Sequence, residues 1–166
     1  MERTKSFALI VSILFSSASY GSIECKMPTP RPVSDETVLH FIAMKETGND
    51  PSAVGKCGER SQFQFMSSTW QRYSRLPHSA AATNPAESDR VARAFLGDIR
   101  ANLRRRGLPE TAYYIAASWH AGPNWSSTDA GLRDYAQCVE NLVLDAEAET
   151  RSESSAEVRI TLATGS

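Results

Sequence analysis

The chain has no Cys-x-x-Cys and no His-x-x-x-His pair, and its three cysteines stand far apart at Cys25, Cys57 and Cys138. Such spacings do not build the usual zinc sites, so neither a metal nor any other cofactor is expected. An odd count permits at most one intramolecular disulfide, with three pairings open and one thiol left over. Neither acidic nor basic residues are in excess. Lys plus Arg total 18 against 19 Asp plus Glu, a net charge of −1. That balance gives no global basic field for nucleic acid or a membrane surface. The apolar run from Phe7 to Phe15 is far too short to span a bilayer as a permanent anchor. No internal repeat exists.

The N-terminus has a different character. Arg3 and Lys5 precede "FALIVSILF", and the small residues of "SSASYGS" follow. This order is that of a secretory signal peptide over residues 1–21. Cleavage after Gly21, with Ser19 at the third position back, fits best; Tyr20 and Ala18 are alternative ends. A buried first helix is the plainer reading, but the run has no amphipathic period. "SIE" before Cys25 lacks the pattern of a lipoprotein signal. The expected location is therefore outside the cytoplasm, where disulfides are permissible.

Residues 22–33 include "MPTPRPV", whose prolines block helix and central strand, and read as an extended linker. A helix is predicted from Ser34, a capping residue, with Asp35 and Glu36 in its first turn and Gly48 as its stop. Residues 48–66 read as loop, and "SQFQF" inside them alternates as a short strand or hairpin does. "SSTWQRY" predicts a short helix capped by Ser67 or Ser68. The next runs from the Asn84 cap and Pro85 to Gly107, with Val91, Phe95, Leu96, Ile99 and Leu103 as its apolar stripe. A helix from Pro109 to the Gly122-Pro123 turn is apolar nearly all round and is expected to be the most buried. The last carries Leu132, Tyr135, Ala136, Val139 and Val143 on one face. From Leu144 the chain turns acidic and rich in small residues, and 144–166 is expected to be a disordered tail, with "VRITL" as a candidate weak strand. The domain proper is 34–143, mainly α with one short β element, a workable size for a single core.

Four groups carry possible chemistry. Glu46 follows Leu39, Ile42 and Ala43 on one helical stripe, at the negative end of the helix. Desolvation and the dipole both raise a carboxyl pKa there, as a general acid requires. The plain alternative is an exposed glutamate paired with Lys45 or Arg60. Gln62 and Gln64 alternate with Phe63 and Phe65; amides beside aromatics suit sugar, although a core hairpin with glutamines facing water fits as well. Trp119 and His120 end the buried helix, where His120 can meet a ligand or only cap carbonyls. Tyr135 lies on an inner face, where a buried hydroxyl wants a partner. Arg100 and Arg104 to Arg106 read as a solvated helix end.

Their order resembles the lytic transglycosylase domain of the soluble-lytic-transglycosylase (SLT) type, which shares a lysozyme-like fold with goose-type lysozyme. The likeness spans about residues 34–143. In that family Glu-Ser-Gly holds the only acid/base; here it reads Glu46-Thr47-Gly48. The family's Gly-Leu-Met-Gln-Phe becomes Ser61-Gln62-Phe63-Gln64-Phe65, which puts Gln64 on the substrate-binding glutamine, and "FMSSTW" is similar to the family's "FMPATW". Ala-Tyr-Asn-Ala-Gly becomes Ser118-Trp119-His120-Ala121-Gly122, with His120 for an asparagine that contacts substrate. The tyrosine that supports the acid maps to Tyr135.

The resemblance implies an α+β lysozyme-like fold, mainly helical, with a β-hairpin beside the catalytic helix. It implies peptidoglycan glycan strands as the partner, Glu46 as the catalytic residue, and Gln64, Gln62, Phe65, Trp119, His120 and Tyr135 about the substrate. The expected reaction cleaves the β-1,4 bond between N-acetylmuramic acid and N-acetylglucosamine and leaves a 1,6-anhydro product. A hydrolase on the same bond needs a second carboxylate, for which Asp50 and Glu59 lie in the right region and Asp129 less so. A peptidoglycan-binding domain without activity and a secreted helical interaction protein are the rivals from other classes. A partner in an envelope-spanning machine is left open.

Overall fold

The computed structural model describes residues 32–126 and 128–164, with side chains to residue 154. The expected signal peptide and nearly all of the linker, including Cys25, lie outside the described residues. Five α-helices follow in order: α1 Asp35–Thr47, α2 Ser67–Tyr73, α3 Pro85–Arg105, α4 Ala112–Ala121 and α5 Ala130–Thr164. A 3-10 turn over His78–Ala82 joins α2 to α3.

α1 starts as its sequence dictates. Ser34 Oγ accepts the Thr37 N–H at 3.1 Å, and Val38, Leu39, Ile42 and Ala43 are buried. Gly48 takes the left-handed conformation with φ 68°, and the Asn49 N–H closes back on Ala43 O at 3.1 Å. This is a Schellman stop, which needs a residue without a Cβ at Gly48. α3 is capped by Asn84, whose side chain accepts the Glu87 N–H. Val91, Leu96, Ile99 and Leu103 of its stripe are buried, while Phe95 stays at the edge. α4 is the central helix: Ala112 and every residue from Ile115 to Trp119 are buried, and it packs against α5, α3 and α1. α5 covers α4 with Leu132, Tyr135, Ala136, Val139 and Val143.

Four expectations need correction. Among the described residues no β-strand forms where a hairpin was expected; isolated antiparallel bridges link Val54 with Arg60 and Arg60 with Phe65. The reason is local: Ser61 (φ 72°) and Gln64 (φ 49°) are both left-handed, so the chain turns tightly between Arg60 and Phe65. α2 is entered from the extended Met66 and has no side-chain cap. α4 begins at Ala112 instead of Pro109, because Glu110 is drawn to Arg100 and Arg104 on α3 at 3.1 and 3.0 Å. The tail from Leu144, expected to be disordered, continues α5 as helix to Thr164, with no strand at 158–162. Its Ala, Leu, Glu and Arg residues are good helix formers, and a helix already nucleated by buried turns extends at low cost.

Arg100 ties the N-terminal part together. Its guanidinium donates to Asp35 Oδ1, Glu110 Oε2 and Val33 O, and its side chain is only 13% exposed. It thereby fixes the start of α1 against α3, so α1 delivers its last turn to a defined place. Cys57 and Cys138 are free thiols and are not bridged to each other. No described helix is long and apolar enough to cross a membrane.

Candidate active site

The last turn of α1 ends at a cleft of about 340 Å³. Glu46 stands in its wall, partly buried, as the spacing from Leu39, Ile42 and Ala43 predicts. Across 89 residues of chain, Tyr135 on α5 donates its hydroxyl to Glu46 Oε1 at 2.6 Å. Burial pushes the Tyr135 phenol far above its ordinary range, and the adjoining Glu46 charge adds to the effect. Tyr135 therefore stays a proton donor at all working pH values. It occupies one oxygen of Glu46 and leaves Oε2 for other partners. His120 stacks on the Tyr135 ring, with centroids 4.3 Å apart and planes at 21°, and also lines the cleft.

Thr47 fixes the end of α1 to the loop that follows. Its hydroxyl lies 3.4 Å from Ala43 O and 3.3 Å from Gln62 O, sharing one proton between them, and accepts the Asp50 N–H at 3.0 Å. The Ser61–Phe65 turn then sends its side chains apart. Gln64 lines the cleft, with Nε2 donating to Ser61 O at 3.0 Å. Gln62 does not: it is buried, its Nε2 donates to Asp89 Oδ1 at 3.1 Å, and it lines a separate cavity with Leu39, His40 and Arg93. The expectation that both glutamines share one face rested on a strand. The two left-handed residues remove it, so Gln62 stands outside the cleft.

Phe65 and Trp119 reach the cleft as its floor. They are 2% and 8% exposed, and Trp119 packs on Phe95 with centroids 4.8 Å apart. Little of either ring is left for a sugar to stack on. Glu59 lines the same cleft and accepts the Cys57 N–H through Oε2 at 3.0 Å. A Cβ on Gly55 would collide with Glu59 Oε2 and Gln64 Oε1, so only glycine leaves both side chains where they are. Asp50 is spent on an Asx turn to Ser52 and does not line the cleft. Asp129 is spent as well, accepting the Leu132 N–H at the start of α5.

Sequence reasoning missed Met66, Thr69 and Arg72 in the far wall, together with Phe95 and Pro123. Their signal was present. Met66, Thr69 and Arg72 recur every third residue from the cap of α2 into the helix. The described residues contain no cluster of three or more His, Cys, Asp or Glu able to hold a metal.

Residues 25–132 match the model of the transglycosylase SLT domain. The chain belongs to the transglycosylase SLT domain family. No curated protein and no solved structure matches it. The family acts on peptidoglycan in the cell envelope by lytic-transglycosylase-type cleavage. In this SLT domain the matched stretch holds Glu46, Gln64, Trp119 and His120, but ends before Tyr135. The bond from Tyr135 to Glu46 is thus an observation independent of the match.

Proposed function

We propose that the protein is a peptidoglycan lytic transglycosylase in which Glu46 alone serves as acid and then as base. Glu46 gives a proton to the glycosidic oxygen between N-acetylmuramic acid and N-acetylglucosamine. The bond to the muramyl C1 breaks, and the sugar's own acetamido group stabilises the developing cation. Glu46, now a carboxylate, takes the proton of the 6-hydroxyl as that oxygen closes on C1. The product is a 1,6-anhydro sugar, and no water is consumed. Tyr135 holds Oε1 throughout, so the proton leaves from and returns to Oε2, and the carboxyl keeps one orientation for both steps. Gln64 and His120 are assigned to hydrogen bonds with the strand, and Phe65 and Trp119 to the floor beneath it; Gln62 has no role at the substrate. An extracytoplasmic site of action, reached by way of a signal peptide at 1–21, and a folding unit ending at Val143 belong to the same proposal.

The observation that carries this reading is the 2.6 Å bond from Tyr135 to Glu46 inside the cleft. Mass analysis of muropeptides released from purified sacculi tests it, because anhydro products lack one water relative to hydrolytic ones. A second reading is supported by Glu59, a second carboxylate in the same cleft. If Glu59 orients a water, the enzyme is a hydrolase on the same bond, and Glu59→Gln would abolish release of hydrated products. Release by neither route would leave a binding domain.

A further inference from the structure

The three consecutive arginines at the end of α3 have different fates. Arg104 donates to Glu110 at 3.0 Å. Arg106 donates to Pro123 O at 2.9 Å and lies over the Trp125 ring at 5.2 Å. Arg105 is exposed, has no ion-pair or hydrogen-bond partner among the described residues, and lines a second cavity of about 260 Å³.

That cavity adjoins the cleft, because Arg72, Phe95 and Pro123 line both. Its charges are Arg72, Arg105 and Asp98. Asp98 Oδ2 accepts the Tyr73 hydroxyl at 2.7 Å, and Arg72 approaches the same oxygen only to 3.8 Å, with both side chains largely exposed. A pair that loose and that solvated holds Arg72 weakly. Arg105 is therefore available, while Arg72, which also lies over the Tyr73 ring at 5.4 Å, is only loosely engaged. The α3 carbonyls beside them are capped: Asn102 O and Leu103 O accept the Arg106 N–H, and Leu103 O also accepts the Leu108 N–H. Asn102 and Asn124 also line this cavity.

A guanidinium holds a carboxylate more strongly than it holds an uncharged sugar oxygen. We propose that this second cavity binds a carboxylate of the peptide carried by the muramyl residues, with Arg105 as its cationic partner and Arg72 at the junction with the cleft. The proposal rests on the peptidoglycan reading and names which part of that polymer the site takes beyond the glycan. A strand in the cleft would lay its peptide across Phe95 and Pro123 into the basic cavity.

Two measurements on the full chain test this. In the first, free stem peptide cut from peptidoglycan by an amidase is titrated into the protein and followed by NMR. Shift changes at Asn102, Arg105 and Asn124 that disappear in Arg105→Ala are expected; no change there at millimolar peptide overturns the proposal. In the second, kcat/KM is compared on strands whose stem peptides carry free carboxylates and on strands whose stem carboxylates are amidated. Arg105→Ala should lower the ratio of the two by about tenfold, the worth of one charge-assisted hydrogen bond. Arg105→Lys should recover part of it, and Arg104→Ala should leave it unchanged. A ratio unmoved by Arg105→Ala overturns the proposal. If neither strand is cleaved, the transglycosylase reading has failed, and the peptide titration alone decides the site.

Discussion

Glu46 acts through what surrounds it, and single substitutions separate the parts. Glu46→Gln should lower turnover by about 10²–10⁴-fold, the usual worth of an acid/base group, while the melting temperature stays unchanged within a few degrees. Tyr135→Phe removes the 2.6 Å bond and keeps the ring stacked under His120. It should reduce kcat by about 10–100-fold with little effect on KM, since a hydrogen bond to a charged group is worth about 1.5–3 kcal/mol. Gly55→Ala should displace Glu59 and Gln64 and raise KM more than it lowers stability, measured as kinetics beside thermal unfolding. At this scale the sequence was most readable where helical spacing governs. Glu46 and Tyr135 each lie on a periodic stripe, and both point inward. Gln62 was misread because its direction depends on the φ of Ser61 and Gln64, and neither residue type announces a left-handed conformation.

The elements are joined by a few polar clips, and one of them is pH-sensitive. Ser74 at the end of α2 donates to Glu87 Oε1 at 2.6 Å, and Arg90 grips both oxygens of Glu87 while donating to Tyr73 O. Arg90 chiefly, with Ser74, lowers the Glu87 pKa from 4.5 to about 2. Because the folded value lies below the unfolded one, the clip contributes fully above about pH 4.5 and is lost as pH falls towards 2. Denaturant midpoints measured across that window should fall more steeply for the wild type than for Glu87→Gln. The helices themselves were legible because Ser34, Asn84, Pro85, Gly48 and Gly107 mark their ends and buried stripes run between them. The missing hairpin and the late start of α4 were not legible. Both follow from contacts distant in sequence or from backbone signs: the left-handed turn at 61–64, and Glu110 held by Arg100 and Arg104.

The described residues form a helical domain wrapped about α4, with the cleft where α1, the 55–66 loop, α2 and the end of α4 meet. Among the described side chains of α5, Val143 is the last buried one. A chain ending there should keep its fold, with a melting temperature lowered by only a few degrees and cleavage activity retained, as circular dichroism and sacculus digestion would read. The family was legible from the order of the motifs, and its match over residues 25–132 agrees with them. The basic cavity beside the cleft was not legible, because nothing in "RANLRRRG" says which arginine is left without a partner. The central claim is one carboxyl acting twice, and its most direct test is the mass of what the enzyme releases. Sacculi digested with the full chain should yield muropeptides lacking one water, and Glu46→Gln should release them about 10²–10⁴-fold more slowly. Products that carry the water, or release by Glu46→Gln at the wild-type rate, would contradict it.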